Sequence, residues 1–170
     1  MSDAVVVYRI ATDTPHYEAD DLTGRGAWLT GGRWNRPGIA LIYTSTSRSL
    51  ACLETIVHLG DEPLPLNRYL VEITVPLDCW RTRTTFDPAA HVGWDALPAG
   101  RRSIDWGTLW AAAGQTLLAQ VPSAIVAEEA NVLVNPTHPD AARLRANKVR
   151  RWTYDGRLAP EPRSGRRVVE

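Results

Sequence analysis

Short β-branched runs that interleave irregularly with helical patterns constrain the fold of this chain more than any other feature. Composition and alternation predict strands over 5–10, 39–44, 67–75, 123–126, 132–134 and 149–154. Helical periodicity covers 47–59, 103–118 and, more weakly, 139–146, while 76–102 has no clear period and is predicted as a long loop. Ser47 is a candidate N-cap and Gly60 a candidate C-terminal stop. The pattern predicts an α+β fold, and 170 residues predict one compact domain over 1–170.

Charge is divided unevenly along the chain. The 19 basic and 19 acidic side chains cancel in total. Residues 143–170 nevertheless hold nine basic and three acidic side chains, which leaves ten and sixteen in 1–142, so a segment of net +6 follows a body of net −6. We predict a folded core over about 5–146 and a basic C-terminal segment over 147–170, whose role stays open.

Several classes of protein are disfavoured by what the sequence lacks. Cys52 and Cys79 have neither metal-ligand spacing nor a disulfide pattern, and the four histidines are scattered. No apolar run approaches the ~20 residues that span a bilayer, and the N-terminus has no signal-peptide pattern. Neither a G-x-G-x-x-G motif nor a Walker motif occurs. We therefore expect a cytoplasmic protein that is not bound to a membrane, with no metal centre and no Rossmann or P-loop nucleotide site.

Glu54 is the first candidate for chemistry. On a helical wheel Leu50, Leu53 and Val57 define the buried stripe, and Glu54 falls at the edge of that stripe beside Leu50. A carboxylate that points partly inward needs a cationic or hydrogen-bonding partner, because burial of an unpaired charge is costly. The alternative is an ordinary flank residue whose carboxylate reaches solvent.

Arg33 and Tyr43 are possible partners of Glu54 or of its substrate. Arg33 lies in the GGRWN run of 31–35, where glycines allow close approach of a ligand and the guanidinium fork suits a pyrophosphate or carboxylate. A structural Arg–Glu ion pair is the alternative. Tyr43 ends an apolar run just before the predicted helix, so its ring is placed either to stack on a heterocycle or to fill the core.

Three polar residues in the second half of the chain are further candidates. Ser123 lacks a Gly-x-Ser-x-Gly context and a suitable histidine, which favours a polar anchor over a nucleophile. A serine that only begins a strand is the alternative. Asn131 and Asn135 lie nearby, and their residue types are compatible with capping or with ligand contact.

Taken together, these segments resemble the RES domain, the toxin half of Xre–RES type II toxin–antitoxin pairs. The resemblance is carried by Tyr8-Arg9, GGRWN (31–35), the strand with Tyr43, LETIVHL (53–59) and VPSAIVAEEANVLVNPTHPDA (121–141). It implies Glu54, Arg33 and Tyr43 as catalytic residues. It further implies four substrate-binding residues, namely Arg9, Trp34, Asn35 and Ser123.

The resemblance also implies a fold and an activity. RES proteins are similar in fold to the ADP-ribosyltransferase toxins and consume NAD⁺, here a substrate rather than a cofactor. Cleavage of the nicotinamide–ribose bond passes through an oxocarbenium-like transition state, as glycoside cleavage does. With water or phosphate as acceptor the protein is a glycohydrolase or phosphorylase, and with a protein side chain it is a mono-ADP-ribosyltransferase. Related transferases often carry a second carboxylate or a glutamine two positions before the catalytic glutamate, where this chain has Cys52. The first interpretation is therefore favoured.

The expected partner is an Xre-type helix-turn-helix antitoxin that covers the Arg33–Glu54 cleft, with DNA contacted only through that antitoxin; a homodimer is compatible with the family. Two other classes of function compete. One is a binding module whose Arg33–Glu54 pair is purely structural. The other is an RNA-acting toxin whose footprint mixes charge and stacking. Its residues are Arg143, Arg145, Lys148, Arg150, Arg151, Trp152 and Tyr154.

Overall fold

The computed structural model describes residues 3–60 and 63–158. Within this part of the chain seven strands form one sheet, joined by four α-helices and two short 3-10 helices. The strands are β1 (Ala4–Thr12), β2 (Ile42–Ser45), β3 (Arg68–Pro76), β4 (Thr84–Thr85), β5 (Leu118–Pro122), β6 (Ala130–Val134) and β7 (Arg145–Trp152). The helices are α1 (Arg25–Thr30), α2 (Arg48–Ile56), α3 (Leu77–Arg81) and α4 (Arg101–Ala113), with 3-10 turns at Pro139–Arg143 and Gly156–Leu158. The α+β prediction is confirmed.

The sheet runs in the order β4-β5-β6-β2-β1-β3-β7, and only the β4–β5 pair is parallel. β1 pairs with β3 along its whole length, from Ala4 opposite Pro76 to Thr12 opposite Arg68. With β2 it shares the single register pair Tyr8–Ser45. The two central strands therefore separate beyond Tyr8, which leaves a gap in the middle of the sheet.

Alternation along the strands gives the sheet two faces with different contents. One face, here called the core face, carries the largest buried cluster, with Val7 on β1 and Ile73 on β3 at its centre. Residues directly opposite each other across antiparallel strands share a face. Tyr8, Ser45 and Asn131 therefore lie together on the other face, here called the site face, and Tyr43 lies there two residues from Ser45.

Helix α2 covers part of the site face. Ser47 caps it by accepting a hydrogen bond from the Leu50 amide, as predicted, but the helix ends at Ile56, before Gly60. Its buried residues are Leu50 and Ala51, while Leu53 and Val57 are 36% and 53% exposed, so the predicted stripe is confirmed at Leu50 and wrong at Leu53 and Val57. Glu54 follows Leu50 by four residues and Ala51 by three, which turns it toward the sheet more than the wheel indicated.

Other element boundaries also differ from the prediction. Helix α4 begins after Gly100 and stops at Gly114, whose φ of 59° ends the helix, so Ser103 lies inside it and Leu118 belongs to β5. The strand predicted over 123–126 is wrong, because β5 ends at Pro122 and Ser123 follows it. The segment predicted as a loop contains α3 and β4, and 139–146 holds a 3-10 turn followed by the start of β7. Since β7 is a full strand of the sheet, it crosses the core boundary predicted at 146.

An aromatic cluster anchors the 31–35 run to this scaffold. Trp34 stacks on Trp94 with ring centroids 5.8 Å apart and meets Phe86 and Trp106 edge to face. Helix α4 approaches closely at Gly107, where a Cβ atom would lie 2.0 Å from the Trp34 carbonyl oxygen. Close packing of backbone against backbone therefore fixes where the neighbouring residue Arg33 leaves the loop.

Candidate active site

The Glu54 carboxylate lies in a network of hydrogen bonds on the site face. The Ser123 hydroxyl donates to Glu54 Oε1 over 2.9 Å, and Asn131 Nδ2 donates to the same oxygen. Glu54 comes from α2, Asn131 from β6, and Ser123 from the turn after β5. The sheet order therefore brings together residues 69 and 77 positions apart along the chain.

Both donors are themselves held in place. The Ser45 hydroxyl donates to Asn131 Oδ1 over 2.7 Å, so the amide of Asn131 is fixed at both ends. The Ser123 oxygen accepts from the amides of Ile125 and Val126 at 3.0 and 3.2 Å, which orients its hydroxyl proton toward Glu54. Within the described residues both side-chain donors meet Oε1 and no hydrogen bond reaches Oε2. The carboxylate is thus oriented through Oε1, and its Oε2 has no hydrogen-bond partner among the described residues.

Arg33 is held by main-chain oxygens rather than by an acid. Its Nη1 donates to the carbonyls of Trp94 and Ala96, at 3.0 Å each. No ion pair joins Arg33 to Glu54 in the described part of the chain. The structural Arg–Glu pair considered as an alternative is therefore not formed, and the charge of the guanidinium is available to a ligand.

Tyr43 joins the 31–35 run to the sheet. Its hydroxyl donates to Asn35 Oδ1 over 2.6 Å and accepts from the Trp34 amide over 2.9 Å. A Cβ atom at Gly32 would lie 2.6 Å from this hydroxyl, which explains the glycine. Burial raises the pKa of Tyr43 far above its ordinary value, although the Trp34 amide and the charge of Arg33 act in the opposite direction. The phenol therefore stays neutral at physiological pH.

Two residues expected to bind substrate have structural positions instead. Trp34 is 2% exposed and Asn35 is 1% exposed, so neither side chain presents surface to a ligand. The Asn35 amide donates to three carbonyls, those of Ala27, Arg36 and Ile39. Both side chains stabilise the 31–35 loop that carries Arg33, and Asn35 joins this loop to Tyr43 on β2.

The two asparagines left open by the sequence separate clearly. Asn135 donates to the Ala111 carbonyl over 2.9 Å and accepts from the amide and hydroxyl of Thr137, so it stabilises a buried turn. Asn131 contacts Glu54 and belongs to the candidate site. Its place beside Ser123 in one sequence block was the available signal, but the residue type alone does not distinguish the two roles.

Arg9 lies on the core face of β1, on the opposite side of the sheet from Glu54. Its Nη2 donates to the carbonyls of Ala19 and Asp21. Burial lowers the pKa of Arg9 to about 10, against the opposing charges of Asp21 and Asp20. Arg9 therefore supports the 19–21 loop with one nitrogen, and it reaches the gap between β1 and β2, which Tyr43 also lines.

Two kinds of feature do not occur in 3–60 and 63–158. No group of three or more His, Cys, Asp or Glu side chains there is arranged to hold a metal ion. No helix of that part is long and apolar enough to cross a membrane.

Comparison with known proteins places this chain in a family. Residues 6–156 match the RES domain. A Sphingobium protein named "Prs ADP-ribosylating toxin" is 57% identical over 89% of this chain and 94% of its own length. A Yersinia enterocolitica protein named "Toxin Res" is 36% identical over 79% of this chain and 86% of its own. A chain of the solved M. tuberculosis MbcT–MbcA toxin–antitoxin complex shares the fold, with a TM-score of 0.58, 18% identity and coverage of 85% of this chain and 81% of that one. The chain belongs to the RES domain family.

Proposed function

We propose that this protein is a toxin that consumes NAD⁺ by breaking the bond between nicotinamide and ribose. The observation that carries the proposal is the Glu54 carboxylate, oriented through Oε1 by Ser123 and Asn131 with Oε2 unengaged among the described residues. The names of the RES relatives support it, since one is an ADP-ribosylating toxin and another a toxin. NAD⁺ is the substrate, and no further cofactor is proposed.

The proposed reaction is a substitution at the anomeric carbon of the ribose. The C1′–N bond to nicotinamide breaks, its electron pair goes to the ring nitrogen, and neutral nicotinamide leaves. The positive charge that develops on the ribose is stabilised by the Glu54 carboxylate, which is held in place before the reaction. A bond then forms between C1′ and the acceptor, and the acceptor loses a proton. Ser123 acts here by orienting Glu54 rather than by touching the substrate.

Arg33 and Tyr43 are proposed to hold the substrate beside Glu54. Nitrogens of the Arg33 guanidinium other than Nη1 are available to a phosphate or to the nicotinamide amide. Tyr43 and Asn131 are diagonal neighbours across β2 and β6, a separation on the order of 7–8 Å, so the Tyr43 ring lies close to the amide that orients Glu54. Because the Tyr43 hydroxyl is used by Asn35 and Trp34, its ring is the part proposed to contact the substrate.

A protein side chain is proposed as the acceptor of ADP-ribose. The sequence favoured water or phosphate because Cys52 stands where related transferases carry an acid. Burial raises the pKa of the Cys52 thiol, so it does not replace that acid. The relative that is 57% identical over 89% of the chain is nevertheless named for ADP-ribosylating Prs. That similarity outweighs an argument from one position, and Prs is the first target to test. Hydrolysis and phosphorolysis are the alternatives.

Mass analysis of the products tests both parts of the proposal. Purified protein is incubated with NAD⁺ and host Prs, with and without phosphate, and nicotinamide, ADP-ribose and modified Prs are quantified. Glu54→Gln should lower turnover by about 10²- to 10³-fold with the fold intact, since the glutamine oxygen still accepts both hydrogen bonds. Glu128→Gln is the matched control, because it removes an equal charge from an exposed residue of the same turn as Ser123. Wild-type turnover by Glu54→Gln would refute the role of Glu54.

Ion pairs formed by two residues of the proposed RNA footprint argue against the RNA-acting alternative. Arg143 forms a bidentate pair with Asp78, at 2.8 Å for each bond. Lys148 lies between Asp13 and Glu18, at 3.0 and 3.1 Å. Two of the five cations of the proposed footprint therefore pair with acids of the protein itself.

A helix-turn-helix antitoxin of the Xre type is proposed as the partner. Support comes from the shared fold with a chain solved in a toxin–antitoxin complex. We propose that the antitoxin covers the cleft between Arg33 and Glu54 and supplies the only contact with DNA. A cytoplasmic location and a homodimer remain part of the proposal. Co-expression with a candidate Xre-type antitoxin, followed by measurement of NAD⁺ turnover by the purified complex, tests whether the antitoxin covers the cleft.

A further inference from the structure

A cavity of about 240 Å³ fills the gap where β1 and β2 separate. β1 residues 9–12 form one wall, Tyr43 and Leu41 a second, and the 17–27 segment closes it. Three arginines line this space, namely Arg9, Arg25 and Arg68. The side chain of Arg68 comes from β3, on the far side of β1 from the gap. The residue types are those of an anion site, and Tyr43 connects the cavity to the Glu54 site.

Two of these arginines have unsatisfied buried donors. Nε of Arg9 and Nε of Arg68 are both buried, and neither finds a hydrogen-bond partner among the described residues. Buried N–H groups of charged side chains are nearly always paired in folded proteins, because an unpaired one loses its hydration without compensation. Arg9 projects from the core face and Arg68, which is opposite Thr12, from the site face, so the two residues line the cavity from opposite faces of the sheet. A ligand in the gap between them would supply the missing acceptors. Burial also lowers the pKa of Arg9, although the charges of Asp21 and Asp20 oppose this, which agrees with a guanidinium that is only partly paired.

The carboxylates near the cavity do not fill this role. Glu18 and Asp21 also line it. Glu18 pairs with Lys148 over 3.1 Å, and the Asp21 carboxylate accepts from the amide and hydroxyl of Thr23. No ion pair joins either acid to an arginine of the cavity in the described part of the chain. Both carboxylates therefore have other hydrogen-bonding partners, and of the two only the charge of Asp21 acts on Arg9.

We propose that this cavity is a phosphate-binding subsite and that Arg68, with Arg25, binds a phosphoryl group there beside Arg9. The inference rests on the proposed function. That function offers two possible ligands with the same phosphoryl chemistry, namely the diphosphate of NAD⁺ and free inorganic phosphate. A guanidinium presents a planar fork of donors that matches two phosphoryl oxygens. The family resemblance implied a substrate-binding role for Arg9 alone, and Arg68 is added by the geometry.

Calorimetric titration of ADP-ribose and of inorganic phosphate tests the subsite without turnover. The full-length wild-type protein, Arg68→Gln and Arg25→Gln are compared with Arg81→Gln, an exposed arginine at the end of α3. Loss of charge-assisted hydrogen bonds should weaken binding of one or both ligands by about 10- to 100-fold in Arg68→Gln. Arg25→Gln should weaken it less, because Arg25 is exposed and stacks on Trp28. If Arg68→Gln does not fold, Arg25→Gln carries the same test.

The outcomes identify the source of the phosphate. Competition between phosphate and ADP-ribose, with both dependent on Arg68, assigns the subsite to the diphosphate. Simultaneous binding, with only phosphate dependent on Arg68, assigns it to the free ion. If the arginine variants bind both ligands as tightly as Arg81→Gln, or if the wild type binds neither, the subsite is refuted. Arg68-dependent binding by a protein that never consumes NAD⁺ would keep the subsite and refute the proposed function.

Discussion

Asn131→Ala is the most direct test of how the Glu54 carboxylate is oriented. The change removes one of the two side-chain donors to Glu54 Oε1 and leaves the Ser45 hydroxyl without its acceptor. A hydrogen bond to a charged group contributes about 1.5–3 kcal/mol, and each 1.36 kcal/mol corresponds to tenfold in rate. We expect kcat for nicotinamide release to fall by about 10- to 100-fold, with little change in KM, because Asn131 reaches the substrate only through Glu54.

Initial rates over a range of NAD⁺ concentrations give kcat and KM separately. Asn147→Ala, on the exposed strand β7, is the control and should behave as wild type. The decisive comparison combines Asn131→Ala with Glu54→Gln. If Asn131 acts through Glu54, it adds little to a variant that has already lost the carboxylate. An equal loss in both backgrounds would show that Asn131 works independently of Glu54, and the reasoning would fail.

Three further changes test the scaffold. Gly107→Ala places a methyl group against the Trp34 carbonyl. Overpacking costs up to about 3 kcal/mol and the gain in helix propensity is about 1 kcal/mol, so the free energy of unfolding measured in urea should fall by about 2 kcal/mol. Tyr43→Phe unpairs the buried Trp34 amide and should cost about 1–3 kcal/mol in the same assay; an unchanged midpoint would contradict the hydrogen bond. Asp13 has its pKa lowered from 3.8, chiefly by the Ala19 amide, so its contribution is complete above that value and is lost as the pH falls through the lower folded pKa. Asp13→Asn should therefore lower Tm at pH 7 but not at a pH below that folded pKa, and an equal loss at both would exclude the mechanism.

The half of the site that is local in sequence was predictable. A serine cap followed by helical periodicity placed Glu54 on α2. The glycines of 31–35 were interpreted as room for a ligand, whereas Gly32 leaves room for the Tyr43 hydroxyl. The helical wheel nevertheless placed Leu53 and Val57 on the buried face, and both are exposed. Hydrophobic periodicity identifies the buried face of a helix only when polar residues mark both edges of that face. Helix α2 buries only Leu50 and Ala51, which is too few apolar positions to identify its buried face from the sequence.

The roles of Trp34 and Asn35 could not be inferred from their neighbours. An aromatic ring and an amide beside glycines suit a ligand site, and they equally suit a loop that must satisfy its own carbonyls. The choice depends on α4, since its close approach at Gly107 buries Trp34 among Phe86 and Trp106. That packing is a long-range contact, which no local pattern encodes.

The site is divided between two segments with different tasks, and this division has a kinetic consequence. The segment from Arg33 to Glu54 supplies the groups proposed to contact NAD⁺. Ser123 and Asn131 come from the second half of the sequence and reach Glu54 because β6 lies beside β2 in the sheet. Both residues only orient one oxygen of Glu54. Changes in the second segment should therefore act on kcat. Changes at Arg68 in the cavity between β1 and β2 should act on binding, since no hydrogen bond or ion pair among the described residues joins that side chain to the Glu54 carboxylate.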